Sequence, residues 1–253
     1  MIIDMHGHIG SWRDFFIVQP SVEWLVETNA RIGIDAVGVS HLVAIGHDTV
    51  VGNEMALAAA RRFPGRVGVW LVANPHRPEG AAELRPHLDS PHVWGFKLHP
   101  DVHECPITDP GYAPYLDLAQ ERGLPVLTHG QGGSPWSDPA LVAETSARYD
   151  DLTVLMGHAG LWAHAFDRAI SLANEHPGLH LEICGSRLTT RWLERMVHRA
   201  GAEKVVFGTD AVFLDPRIGL GKVMGARLTE PERTLVLGGN ARRILRRDEE
   251  ARG

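Results

Sequence analysis

Short apolar, β-branched-rich runs recur along the chain about every 25–35 residues, and most are followed by a stretch with helical character. The runs cover residues 2–6, 36–40, 67–73, 93–98, 125–128, 153–156, 179–183 and 204–207. Between them the pattern predicts helices over 22–32, 53–62, 115–122, 141–149, 163–175 and 191–200. Ser21 stands where an N-cap belongs, and Gly123 where a helix stops. Thr229-Glu230-Pro231-Glu232 reads as a capping box with proline just inside the helix, and Asn240 as the cap of a last short helix through Leu245.

Eight strand–helix units without a long linker predict an α/β protein, a single (β/α)8 TIM barrel spanning 1–253 as one domain. The competing arrangement is a doubly wound open sheet. No Gly-x-Gly-x-x-Gly follows the first run, which weakens a dinucleotide-binding version of it. The net charge of -6 disfavours nucleic acid as a partner, since phosphates need a basic surface. Two cysteines without a CxxC pair, no leader-like N-terminus and no apolar run of spanning length predict a cytoplasmic protein that needs no membrane. A homodimer is the default expectation for such a barrel.

Fifteen histidines are the unusual count, and their positions matter more than their number. Barrel active sites form where the strands end. The first strand ends in His6-Gly7-His8, whose two imidazoles share one face by strand parity. The fourth ends in Lys97-Leu98-His99, the fifth in His129, the sixth in His158 and the eighth in Asp210. Taken singly, His41, His99 and His164 are ordinary hydrogen-bonded histidines. Closure of a barrel, however, gathers His6, His8, His129 and Asp210 around one cavity. Three neutral imidazoles and a carboxylate suit one divalent ion, zinc before others.

Asp4-x-His6-x-His8, the histidines of strands five and six, and Gly208-Thr209-Asp210 together resemble the amidohydrolase superfamily. The segment Gly238-Gly239-Asn240-Ala241-Arg242-Arg243-Ile244-Leu245 is similar to the C-terminal part of its amidohydrolase-2 branch, which includes the aminocarboxymuconate-semialdehyde decarboxylase-like enzymes. The resemblance implies that His6, His8, His129 and Asp210 bind metal. His158 would be a ligand to a second metal or a free catalytic base. In binuclear members of the superfamily a strand-four lysine is carboxylated and bridges two metals, and Lys97 stands in that place. One metal is favoured, because the branch signals are mononuclear.

A divalent ion lowers the pKa of its water to roughly 7. With Asp210 and His158 as catalytic groups, the expected reaction is hydrolysis of an amide, lactone or ester of a small molecule. The alternative is non-oxidative decarboxylation of a small aromatic or unsaturated acid, with the same pair supplying a proton. A barrel holding metal only structurally is disfavoured, since such sites are closed and cysteine-rich. A nuclease-like barrel is disfavoured by Lys97, which stands where such barrels carry glutamate. Asp4 shares the parity of His6 and is read as lying one layer deeper, holding a neighbour by hydrogen bonds. His99, Trp12, Arg13 and Arg187 are the candidate substrate contacts, with Phe15, Phe16 and Trp136 as further pocket walls. Either arginine would clamp a carboxylate. Trp24, Trp162 and Trp192 read as packing residues, and Cys184 as a small buried residue without a base partner.

Overall fold

A computed structural model of the chain describes residues 1–14 and 16–246, so Phe15 lies outside the described residues. Eight parallel strands form one sheet in the order β1 to β8. They are β1 (Ile3–Ile9), β2 (Ala36–His41), β3 (Val67–Val72), β4 (Val93–Leu98), β5 (Val126–Thr128), β6 (Val154–Met156), β7 (Leu179–Glu182) and β8 (Val205–Val206). The sheet closes on itself. Met5 N–H donates to the Phe207 carbonyl at 2.9 Å and Asp210 N–H to the His6 carbonyl at 2.8 Å, while Gly7 pairs with Ala211. The expected barrel is the observed one, with the predicted strands displaced by a few residues at most.

The helices sit where apolar spacing puts them. In Thr190–Ala200, Leu193, Met196, Val197 and Ala200 are buried, the i, i+3, i+4, i+7 stripe of an amphipathic helix lying on a sheet. Full burial of each larger side chain contributes about 1.5–3 kcal/mol. Ser21 Oγ accepts from Trp24 N–H at 3.3 Å to start Val22–Ile32, and Gly33 ends that helix in left-handed backbone. Thr229 and Glu232 form the reciprocal capping box. Asn240 differs from expectation. The chain enters Asn240–Ile244 directly from a helical turn at Leu235–Gly239, so there is no free helix start to cap. Its side-chain amide instead donates to the carbonyls of Ala202 and Val205 at 2.7 and 2.8 Å, which fastens the C-terminal segment beneath β8. The helix Pro216–Met224 after β8 is an element that the apolar pattern did not reveal, because its buried face holds only Pro216, Gly219 and Val223.

Two apolar layers result. The larger lies between strands and helices. A smaller cluster fills the barrel bore, with Met5, Trp70, Trp94, Leu127, Leu155 and Val206 drawn from six strands. Trp94 fits because β3 carries Gly68, where a Cβ would lie 2.0 Å from the indole. This plug occupies the lower bore. Above it the strands turn polar side chains inward, and there the candidate site lies. The change happens abruptly in β1, whose register against β2 shifts between Asp4 and Gly7. Met5 packs in the apolar plug, and His6, its neighbour in sequence, is buried among polar groups. No helix among the described residues is long and apolar enough to cross a membrane.

Candidate metal centre and active site

His6 is fully buried and both its ring nitrogens are engaged. Its Nδ1–H donates to Glu182 Oε2 at 2.7 Å. Its Nε2 accepts from Lys97 Nζ at 2.8 Å and lies 3.8 Å from Asp210 Oδ1. His8 has the same plan. Its Nδ1 pairs with Ser40 Oγ at 2.9 Å, and its Nε2 lies 3.2 Å from Asp210 Oδ1. Each histidine of the pair is therefore anchored through Nδ1 and presents Nε2 to one carboxylate oxygen. The parity expected of a regular strand is met at these two residues after the irregularity in β1.

Asp210 ends the segment after β8 in left-handed backbone, as His158 does after β6. For side chains other than glycine such backbone costs about 1–3 kcal/mol and persists where surroundings impose it. The impositions are visible: Asp210 N–H is held by the His6 carbonyl, and His158 N–H donates to Glu182 Oε2 at 3.2 Å. Donor atoms of His6, His158, Cys184 and Asp210 all lie within 4.8 Å of one another. His8 joins through Asp210. His129 lies outside this tight group. Its ring stacks on His99 at 4.4 Å and meets His158 edge-on at 4.8 Å, while its Nε2 lies 3.9 Å from Asp101 Oδ2.

The electrostatics follow from burial. Loss of water holds His6, His158 and His99 well below the ordinary histidine range, with the Lys97 charge adding to the effect on His6. Burial also lowers His8 and His129. Neutral imidazoles with free lone pairs are what a metal ion requires. Lys97 is brought down to about 8, burial outweighing the attraction of Asp210. At Asp210 burial acts upward, but the His8 hydrogen bond and electrostatic attraction to the His158, His6 and His8 rings together hold the carboxyl below the usual carboxylate range.

Three residues have roles that strand-end reading did not assign. Glu182, fully buried in β7, accepts from His6 Nδ1–H, His158 N–H, Cys184 N–H at 2.6 Å and the Cys184 thiol at 3.0 Å. The available signal was the lone acid of the strand, with Cys184 on the same face two residues on. Asp101, just past β4, is fixed by the hydroxyls of Ser134, at 2.6 Å, and Ser137 and faces His129. Phe213 packs against His8 at 5.1 Å. Cys184 corrects the reading that it lacks a base partner, since its Sγ lies 3.0 Å from His158 Nδ1 and 3.2 Å from His6 Nδ1. Burial pushes the thiol well above its ordinary value, and it remains a donor to Glu182.

Asp4 holds its neighbours by hydrogen bonds, as expected. It is pinned in the seam between β1 and the segment after β8, accepting from His6 N–H at 3.0 Å, Thr209 N–H at 3.0 Å and Thr209 Oγ1 at 2.5 Å. Among the candidate substrate contacts, Trp12 is half-buried edge-on to Phe213 at 5.9 Å, and His99 lies under His129. Arg13 is exposed and paired with Asp14 at 3.4 Å. Arg187 is exposed and stacks 3.9 Å above the ring of Trp162, which gives that tryptophan a second task beside packing. His41 caps the helix Leu42–Gly46, accepting from Val43 N–H, as an ordinary histidine would.

The sequence model of a family described as amidohydrolase matches residues 3–247. No curated protein matches the chain. Similar solved structures include 5-carboxyvanillate decarboxylase LigW from Sphingomonas paucimobilis, at 14% identity and TM-score 0.74 over 97% of this chain and 98% of that one. A dihydroxybenzoic acid decarboxylase from a Polaromonas species, with bound manganese and the inhibitor 2-nitroresorcinol, has 16% identity and TM-score 0.74 over 98% and 97%. A probable 2-pyrone-4,6-dicarboxylic acid hydrolase from Acinetobacter baumannii, with citric acid bound, has 14% identity and TM-score 0.72 over 96% and 98%.

Proposed function

The chain belongs to the amidohydrolase family, and on that premise we propose that it is a divalent-metal-dependent decarboxylase of a small aromatic or unsaturated carboxylic acid. This reverses the order expected from sequence, where hydrolysis stood first. The observation that carries the metal reading is the convergence of the Nε2 atoms of His6 and His8 on one oxygen of Asp210, each ring tethered through Nδ1. The donor chemistry fits: neutral imidazoles and a carboxylate suit zinc, manganese and similar ions. Lys97 Nζ already donates to His6 Nε2, so the lone pair on that nitrogen faces the centre of the group. We assign His6, His8 and Asp210 as ligands, with His129 completing the set. When bound, the ion would hold the substrate carboxylate and neutralise its charge.

The rest falls to the chain's own residues. Loss of CO2 leaves a carbon that must take one proton. His158 is suited to carry it: Nδ1 faces Cys184, Nε2 is left for substrate, and the charge of Asp210 stabilises the protonated ring. The site excludes water closely, with His6, His8, Lys97 and His158 all buried and Asp210 15% exposed at the mouth. Hydrolysis needs a water there, whereas a carboxylate giving up its charge as CO2 is favoured by a dry pocket. Two of the three similar structures described above are decarboxylases, which supports the same choice. Trp12, Phe213 and the His99–His129 stack provide flat walls for a planar acid.

The test is a panel of hydroxybenzoic and unsaturated acids, set beside lactones, esters and amides, offered to the zinc- or manganese-loaded enzyme. Release of CO2 in step with metal content, with deuterium from D2O at the vacated carbon, is the expected result. Turnover of the lactone, ester or amide arm alone would overturn it in favour of hydrolysis.

A further inference from the structure

Glu182 is a fully buried carboxylate toward which four donors point, two from β7's own continuation and one each from His6 and His158. A group that receives only donors acts as acceptor through both oxygens. Its contact with His6, at 2.7 Å, leaves the ring one arrangement: hydrogen on Nδ1, lone pair on Nε2. That lone pair faces Lys97 and Asp210. The same oxygen accepts from His158 N–H, inside the left-handed turn that sets the direction of the His158 ring.

A second observation points the same way. Gly208 makes the space that Glu182 occupies: a Cβ there would lie 2.1 Å from Oε1 and 2.8 Å from the carboxyl carbon. The chain just past β8 thus keeps an open position beside β7, and the glutamate fills it. We propose that Glu182 is a positioning residue that sets the tautomer of His6 and the placement of His158, so that ion binding and proton delivery share one anchor. The proposal rests on the reading of His6 as a metal ligand and His158 as the proton carrier.

Glu182→Gln keeps the shape but replaces one acceptor oxygen with an amide donor. Its zinc and manganese affinities, measured by chelator competition on metal-stripped protein, should weaken about 10–100-fold. In the metal-free protein, histidine 15N–1H correlation spectra should show His6 as the Nδ1–H tautomer in wild type and as a mixture in the variant. A merely structural glutamate would not move that signal. Gly208→Ala, which crowds Oε1 without altering charge, should shift the spectra and the affinities in the same direction and serves if Glu182→Gln does not fold. Unchanged tautomer and unchanged affinity in the folded variant overturn the proposal. If wild type itself binds no ion, the metal reading fails, and the metal-free spectra still decide whether Glu182 sets the tautomer.

Discussion

The Thr209 hydroxyl donates to Asp4 Oδ2 at 2.5 Å, tying the first strand of the barrel to the residue before Asp210. Burial pushes the Asp4 carboxyl up from its ordinary 3.8 to about 7, against the opposing hydrogen bonds from Thr209 and His6. A carboxyl raised on folding binds more protons in the native state between those two values. Its effect is therefore a stability that declines as pH rises from 3.8 toward 7. Thr209→Val removes a bond that favours the charged form. Urea unfolding should show a loss of about 1–3 kcal/mol at pH 8 and a smaller one at pH 5. Equal losses at the two pH values would contradict this role for the pair.

Metal content tests the ligand assignment. Wild type should purify with about one divalent ion per chain, and His6→Ala, His8→Ala and Asp210→Asn with almost none. Elemental analysis decides it. Undiminished metal in His6→Ala would remove the centre from β1.

His158→Asn separates the proton carrier from the ligands. With its metal retained, kcat should fall about 10²–10⁴-fold, the range for loss of a general acid–base group. Loss of metal together with activity would place His158 among the ligands instead, as its closeness to Cys184 and Asp210 allows.

Lys97 shares the His6 lone pair with any incoming ion. Lys97→Met removes the competitor and a buried cation, so the first ion should bind at least as tightly while turnover changes. A carboxylated bridge predicts otherwise: two ions in wild type, bicarbonate-dependent loading, and loss of both in the variant.

His180, buried in β7 below the site, donates from Nδ1 to the Gly178 carbonyl at 3.2 Å. Burial, with the Lys204 charge, brings it down to about 4. Between pH 6.5 and 4 the unfolded chain takes up this proton and the native one does not, so stability falls as pH falls through that window. The total is at most about 3.5 kcal/mol. His180→Asn keeps a donor without the titration, and its unfolding free energy should decline less between pH 7 and 4 than that of wild type.

The alternation of strand runs with amphipathic helices was legible because burial on one face leaves a period in the sequence. The strand-end histidines were legible because closure of eight strands brings their ends together whatever fills the loops. His6, His8 and Asp210 meet for that reason. His129 and His158 show the limit. Both end strands, yet a left-handed turn carries His158 into the tight donor group while His129 stacks on His99 beside it. Strand parity says nothing about backbone beyond the strand.

What the sequence determined by itself was therefore the barrel, the end of it where the strand-end histidines gather, and the first-strand histidine pair, since each follows from local periodicity and a closure rule. The tertiary structure decided which nitrogen each histidine presents. That depends on Glu182, 176 residues from His6, and on the space left by Gly208. A hydrogen-bond partner that distant leaves no period in the chain, and only the packed barrel brings the two together.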